Sequence, residues 1–233
     1  LDNTLSTIEK LFKSKGGNFL QSPSAIKAGL FEVNVLLFDW DGVFTDGRKD
    51  NKRNSTYSEL DTMGINLLRF AFYLQNGRIP FTAIITGEEN PGAMFVAERD
   101  RFDAVYYQVK DKSQMEARLA KDFNVKVSES LFLFDDVLDL GLVKASRMSF
   151  ALRNDASFLF QEHLKTLEKC AYISSNTGGN HGIREISELL MGLMGFYDVV
   201  IDNRATFSPV YTEFLTIRNS KQAPVLFSFR PAE

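Results

Sequence analysis

The chain has 233 residues, 44% of them hydrophobic, with a formal net charge of −3 and a sequence pI near 5.6; that length can bury one substantial core, so one α/β domain with terminal additions is the economical expectation. The acidic balance argues against a nucleic-acid surface, and no run approaches the roughly 18 apolar residues of a membrane span. The one cysteine, Cys170, excludes an internal disulfide framework, and residues 1–30 lack a secretory apolar region, which together predict a soluble cytoplasmic protein without nucleic-acid or membrane partners.

Residues 1–32 precede the first expected strand and read as a helical extension. Leu5, Ile8, Leu11 and Phe12 form one apolar helical face, and Ser22-Pro23-Ser24 marks a second helix with proline in its first position. Val33 to Phe38, apolar except for Asn34, suits a strand buried on both faces of a parallel sheet. It delivers Asp39 and Asp41 to a glycine turn at Gly42. In an open α/β sheet the ligand crevice lies beyond the carboxyl ends of the strands, and extended backbone through Trp40 would turn both carboxylates to one site. Two anions that close call for a divalent cation or a shared proton, and magnesium fits best. The plainer alternative is a pair of loop caps.

Arg48 to Tyr57 is polar and basic, too short for a cap domain, and could draw in an anionic substrate through Arg48, Lys49, Lys52 and Arg53. An amphipathic helix is expected from Gly64 to Asn76. Phe81 to Ile85 reads as a second strand, ending in Thr86 and Gly87, which could offer an O–H and a backbone N–H to a phosphate oxygen. A helix follows over Asn90 to Asp100, then a third strand over Asp103 to Gln108. Asp111-Lys112-Ser113 opens a further helix through Met115, Leu119 and Phe123. Ser130 to Phe134 is a fourth strand running into Asp135, Asp136 and Asp139. Singly, Thr86 reads as a turn residue, Lys112 as a surface lysine and the acidic cluster as a helix-start pattern. Together, at successive strand ends, they point to one site.

Met148 to Leu152 and Cys170 to Ser174 are further strand candidates around a helix at Ala156 to Leu167. Gly182 to Met194 is a helix with Ile183, Ile186, Leu189, Leu190 and Leu193 on one face. From Phe196 the pattern is less regular, and Pro209, Pro224 and Pro231 limit any long helix. The alternation predicts a Rossmann-like parallel sheet with helices on both faces. The many phenylalanines, such as Phe70, Phe72, Phe158 and Phe160, are expected in the core.

These motifs resemble the haloacid dehalogenase-like (HAD) phosphohydrolases, and within them the capless 3-deoxy-D-manno-octulosonate 8-phosphate phosphatase-like subgroup. The opening DxDGVxTDG reads here DWDGVFTDG, followed by ITG, the Asp111-Lys112 pair and DDVLD. A GGxGAxRE-like segment corresponds to Gly178 through Glu185. The resemblance implies a HAD-like core over 33–200, a tail over 201–233, a short β-hairpin flap in place of a cap, and a homotetramer whose neighbours close the site. It implies Asp39 as nucleophile, Asp41 as acid and base, and Thr86 and Lys112 as holders of the phosphoryl oxygens. Magnesium would be bound by Asp39, Asp135 and the Asp41 carbonyl, with Asp136 and Asp139 positioning the metal site and Lys112. Gly87, Arg48, Gly179 and Arg184 are the substrate-binding candidates, the last for a substrate carboxylate. Lys110 competes with Lys112, which is preferred because it follows an aspartate.

Three residues depart from the subgroup pattern: Trp40 between the aspartates, Phe134 and His181, the last two in place of glycines. Bulk at Phe134 could crowd the metal site or redirect Asp135, and since every charged group is in place, activity with altered substrate preference is expected. The implied activity is hydrolysis of a small sugar-acid phosphate, of the 3-deoxy-D-manno-octulosonate 8-phosphate type or a nine-carbon 2-keto acid 9-phosphate. A weakened HAD-like protein with an assembly or regulatory role is the second reading. Transfer to an acceptor other than water is the third.

Overall fold

The structure, a computed structural model, describes residues 4–51 and 54–229. Thr4 and Ser22 cap the first two helices, α1 (Leu5–Ser14) and α2 (Pro23–Leu30), accepting from the N–H groups of Thr7 and Ala25. Between them β1 (Asn18–Phe19) was not foreseen; it is two residues long. The central strand β2 (Val35–Phe38) is followed by α3 (Glu59–Asn76), β3 (Phe81–Ile85), α4 (Pro91–Arg99) and β4 (Ala104–Tyr107). A 3-10 turn (Lys112–Gln114) leads into α5 (Met115–Phe123), then β5 (Ser130–Phe134), a second 3-10 turn (Val137–Asp139), α6 (Leu140–Ala145) and β6 (Met148–Arg153). The remainder is α7 (Phe158–Leu164), β7 (Cys170–Thr177), α8 (Gly182–Met194), α9 (Tyr197–Ala205), α10 (Pro209–Ser220) and β8 (Val225–Ser228).

All eight strands form one sheet in the order β1-β7-β6-β5-β2-β3-β4-β8, parallel except for β1, which runs antiparallel to β7. From β2 the chain steps outward through β3 and β4, then returns to the other side of β2 as β5 and continues to β6 and β7. That reversal creates a switch point at the carboxyl end of β2, where a crevice opens between diverging connections. Alternation along β2 explains its unbroken apolar run. Leu36 and Phe38 enter one core, with α3 and α8, while Val35 and Leu37 enter the other, with Met115, Leu119 and Leu142.

Helix α3 starts earlier than its apolar stripe indicates because Ser58 accepts from the Leu60 N–H and ends the preceding loop. Its Arg69 is fully buried, donates to the carbonyls of Asp100 (2.6 Å) and Arg101 (3.0 Å), and lies over the Phe102 ring. A buried cation thereby satisfies the carbonyls of the two residues that follow α4.

The tail is regular where the sequence reading found little order. Pro209 does not limit α10 but begins it, and Ser208 caps it. Tyr211 and Phe214 pack against Phe70 of α3 at ring distances of 5.0 and 5.2 Å, and β8 adds a parallel edge strand to β4. The expected flap hairpin is corrected: among the described residues, 48–58 contains no strand. Asp50 donates its N–H to the Asn54 carbonyl and accepts the Asn54 N–H on its side chain, a local turn that replaces a ladder. Lys52, Arg53 and Pro231 lie outside the described residues.

Candidate active site

The parallel strands β2 to β7 end around one cleft of about 650 Å³. Asp39 follows β2, and its N–H donates to the Leu133 carbonyl of β5, which fixes the strand tip beside Asp135. Lys112, carried by the 3-10 turn after β4, reaches inward until only 3% exposed, and its Nζ lies 2.6 Å from Asp39 Oδ1. The same ammonium also bonds Asp139. Asp139 is oriented in turn by the N–H groups of Asp135 (3.4 Å) and Asp136 (3.3 Å), and Asp136 completes a reciprocal cap around that turn. Oxygens of Asp39, Asp135 and Asp139 lie within 4.8 Å of one another.

Burial disfavours the charged form of Asp39 and raises its pKa; Lys112 opposes this and Asp139 adds to it. Burial raises Asp135 likewise, and then Asp39, Asp139 and Asp136 push in the same direction. Burial works against the Lys112 ammonium, but Asp39 and Asp139 outweigh it, so its pKa is raised. Eight carboxylates and four cations are among the described residues lining the cleft. Four cations leave this set short of positive charge.

The donor set fits a divalent cation. The carboxylates are hard oxygen ligands gathered within bonding reach of one point. Gly42, at φ +80°, leaves open the space where a Cβ would meet Asp135 Oδ2 at 2.0 Å, so that carboxylate can sit against the turn following Asp41. Asp39 and Asp135 would hold the ion, with Asp139 committed to Lys112.

A pH dependence follows. Because both carboxylates titrate above their ordinary range when folded, the metal-free native state retains protons that the unfolded chain has released. Stability from these groups is therefore greatest in acid and falls as pH rises from the ordinary carboxylate range towards about 7 and about 9. A dication competes with those protons, so the Tm increase given by magnesium should be larger at about pH 8 than at about pH 5.5. Thermal unfolding at both pH values checks this; an equal or larger increase in acid contradicts it.

The other expected residues fall into separate groups. Asp41 lines the cleft, its Oδ2 accepting from Lys49 Nζ and Asn90 Nδ2, each at 2.9 Å, while its Oδ1 is buried without a partner. Thr86 is buried beneath the cleft floor, where Gly87 is exposed to it. Arg48 lines the mouth with its side chain 91% exposed. Lys110 is also at the rim, paired with Glu88, so Lys112 is the lysine that meets Asp39. Arg153, Asn154 and Asp155, beyond β6, line the same cleft and were not singled out from sequence.

Two expected substrate contacts lie elsewhere in the chain. Gly179 is scaffold: at φ +69° it donates its N–H to the Val43 carbonyl, and a Cβ there would meet the Asp46 nitrogen at 2.5 Å. Its neighbours Gly178 and Asn180 line the cleft instead. Arg184 faces a second cavity with Leu11, Phe12 and Tyr197, and pairs with Glu188 at 2.7 Å, one helical turn along α8. The adjacent Glu185 accepts from Tyr172, Ser175 and Asn176.

The departures are also accommodated. Trp40 turns away from the aspartates into the core, stacked on Phe44 at 4.8 Å and seated against Gly92, where a Cβ would meet its ring at 2.8 Å. Phe134, whose bulk could have crowded the metal site, is buried on the opposite core face, stacked with Phe132 at 5.9 Å. His181 adopts the left-handed conformation at φ +72° before α8, and its Nδ1 lies 3.1 Å from Ser58 Oγ.

Gly178 makes the tightest contact between the β7–α8 connection and the Asp41 turn: its Cβ would sit 1.9 Å from the Gly42 carbonyl oxygen. Gly178→Ala should therefore lower Tm by several degrees and impair the site, since backbone must shift. Gly87→Ala, whose Cβ meets only Val109 O at 3.7 Å, should change Tm little. Equal Tm values for the two variants would contradict this packing account.

This sheet, with the site at its strand tips and no inserted cap among the described residues, shares its fold with a solved structure from Legionella pneumophila assigned to the HAD-superfamily (subfamily III A) hydrolases, 22% identical over 78% of this chain and 95% of its own, with a TM-score of 0.63. No protein-family model matches the chain. Among solved structures, the 3-deoxy-D-manno-octulosonate 8-phosphate phosphatase of Moraxella catarrhalis, in complex with magnesium, phosphate and KDO, is 22% identical, matches over 79% of this chain and 99% of its own, and has a TM-score of 0.62. The cobalt-bound deoxy-D-mannose-octulosonate 8-phosphate phosphatase of Haemophilus influenzae is 21% identical over 73% of this chain and 94% of its own, with a TM-score of 0.60. These likenesses define the fold.

Proposed function

We propose that the chain is a magnesium-dependent phosphomonoesterase acting on a small sugar-acid phosphate, of the 3-deoxy-D-manno-octulosonate 8-phosphate type or a nine-carbon 2-keto acid 9-phosphate. The observation that carries this reading is the buried Lys112 ammonium, 2.6 Å from Asp39 Oδ1 inside the acidic cluster at the strand tips. A carboxylate beside a fixed cation suits attack on phosphorus, because the cation remains to hold the charge of the transferring group.

In the first half-reaction an Asp39 oxygen forms a bond to phosphorus as the ester P–O bond breaks, and Asp41 gives its proton to the leaving oxygen. In the second, Asp41 takes a proton from water as that water attacks the aspartyl-phosphate, releasing phosphate and restoring Asp39. Lys112, with Thr86 and the Gly87 N–H, holds the phosphoryl oxygens in line. Magnesium, when bound by Asp39, Asp135 and the Asp41 carbonyl, supplies charge neutralisation at the phosphoryl group. Uncatalysed monoester hydrolysis demands accelerations of up to ~10²¹, which no one group supplies.

Arg48, Lys110 and Arg153 line the cleft, which supports a role for them in meeting a substrate carboxylate. In the homotetramer we propose, Arg184 serves a neighbour's site; its position away from its own cleft supports that assignment. Gel filtration checks it, since an active monomer would remove the intersubunit role. The buried, unpaired Cys170 supports a cytoplasmic setting, and no helix among the described residues is long and apolar enough to cross a membrane. The regulatory reading loses its main support with Phe134 in the core. Phosphate release from a panel of phosphorylated sugar acids tests the proposal. Magnesium-dependent release, abolished by chelator, is expected; no release from any member would overturn it.

A further inference from the structure

Asn90 immediately precedes α4 and is 2% exposed, in the position where an asparagine ordinarily accepts a helix N–H on its side chain. It makes no such bond. Its Nδ2 donates instead to Asp41 Oδ2 at 2.9 Å and to Thr86 Oγ1 at 2.8 Å, linking the turn after β2 to the residue that follows β3. We propose that Asn90 is a positioning residue that ties the acid side chain of Asp41 to the buried hydroxyl of Thr86, an assignment that rests on the phosphatase reading above.

The chemistry of the amide fixes its direction. The nitrogen only donates, and the reverse orientation would set a carbonyl oxygen against the Asp41 carboxylate. Thr86 Oγ1 is therefore the acceptor in its bond to Asn90, which leaves its own proton for a phosphoryl oxygen. Asp41 Oδ2 is held from two sides, by the buried amide and by Lys49 Nζ at 2.9 Å. Lys49 is partly exposed on the 48–58 loop, whereas Asn90 is fixed between packed elements. The leaving-group side and the phosphoryl side of the reaction thus share one rigid nitrogen. Forgoing the cap in favour of a charge-assisted bond to a carboxylate indicates that the side chain serves the site rather than the helix.

The test separates these roles. Asn90→Asp preserves the shape and an effective helix cap but removes the donor, and Asn90→Ser keeps a cap with a single smaller donor. Both variants and the wild type are assayed with magnesium on 4-nitrophenyl phosphate, whose leaving group needs no proton, and on benzyl phosphate, whose leaving group does. For Asn90→Asp we expect a loss in kcat of roughly 100-fold on benzyl phosphate and below about 10-fold on the nitrophenyl ester, with a lowered Tm because a buried carboxylate then faces Asp41, and for Asn90→Ser an intermediate loss with Tm little changed. Equal losses on the two esters in both variants, or no loss in either, would overturn the assignment. A wild type inactive on both esters would overturn the phosphatase reading and this role with it.

Discussion

Asp39→Asn should abolish hydrolysis without weakening the fold. The amide has nearly the shape of the carboxylate but cannot form an acyl phosphate, so kcat should fall by at least ~10⁴-fold. The stability half of the expectation comes from the charges. Asp39 is 7% exposed, and burial together with Asp139 disfavours its ionised form more than Lys112 favours it. Removing that charge relieves repulsion within the acidic cluster, so metal-free Tm should hold or rise. Initial rates and thermal unfolding check both halves. A variant retaining more than about a hundredth of the activity would refute the nucleophile assignment.

Lys112→Met should fail on both counts. It leaves Asp39 and Asp139 buried and facing each other without the ammonium that bonds both. Breaking a buried ion pair from one side costs about 3–5 kcal/mol, because the remaining charge is uncompensated. Lys112 has its pKa raised rather than lowered, so the native residue is charged throughout the working pH range. Activity should disappear together with the cation facing the phosphoryl group. Magnesium should recover part of the lost stability but none of the turnover. Denaturant unfolding with and without magnesium measures this; an unaffected midpoint in metal-free buffer would show that Lys112 is not the counter-charge of the cluster.

The strand tips were legible in the sequence because buried parallel strands are continuous apolar runs, and the charged residues that stop them mark the crevice. Asp39, Lys112, Asp135 and Asp139 converge for that reason. Helix α8 was read with its observed ends, since Gly182 and Gly195 bracket a clear apolar face. Other features depended on partners distant in sequence. β8 is a short, half-exposed strand whose identity comes from pairing with β4, and nothing local marks it. Pro209 was read as a break although its position after Ser208 is that of a helix start. Phe134 was judged by what precedes the aspartates, but strand alternation points it to the opposite core face from the neighbouring Leu133. Asn90 was passed over as a helix boundary. The absent capping bond and the two bonds across strand tips exist only in three dimensions.

The most direct test of the account is chemical capture of the covalent intermediate. Turnover of a phosphorylated sugar acid with magnesium is quenched, treated with borohydride and analysed by peptide mass spectrometry, since reduction of an aspartyl-phosphate converts that aspartate to homoserine. Homoserine at position 39, absent without substrate, is the predicted result. Phosphate release with no reducible group at Asp39, or with the modification at another carboxylate, would contradict it.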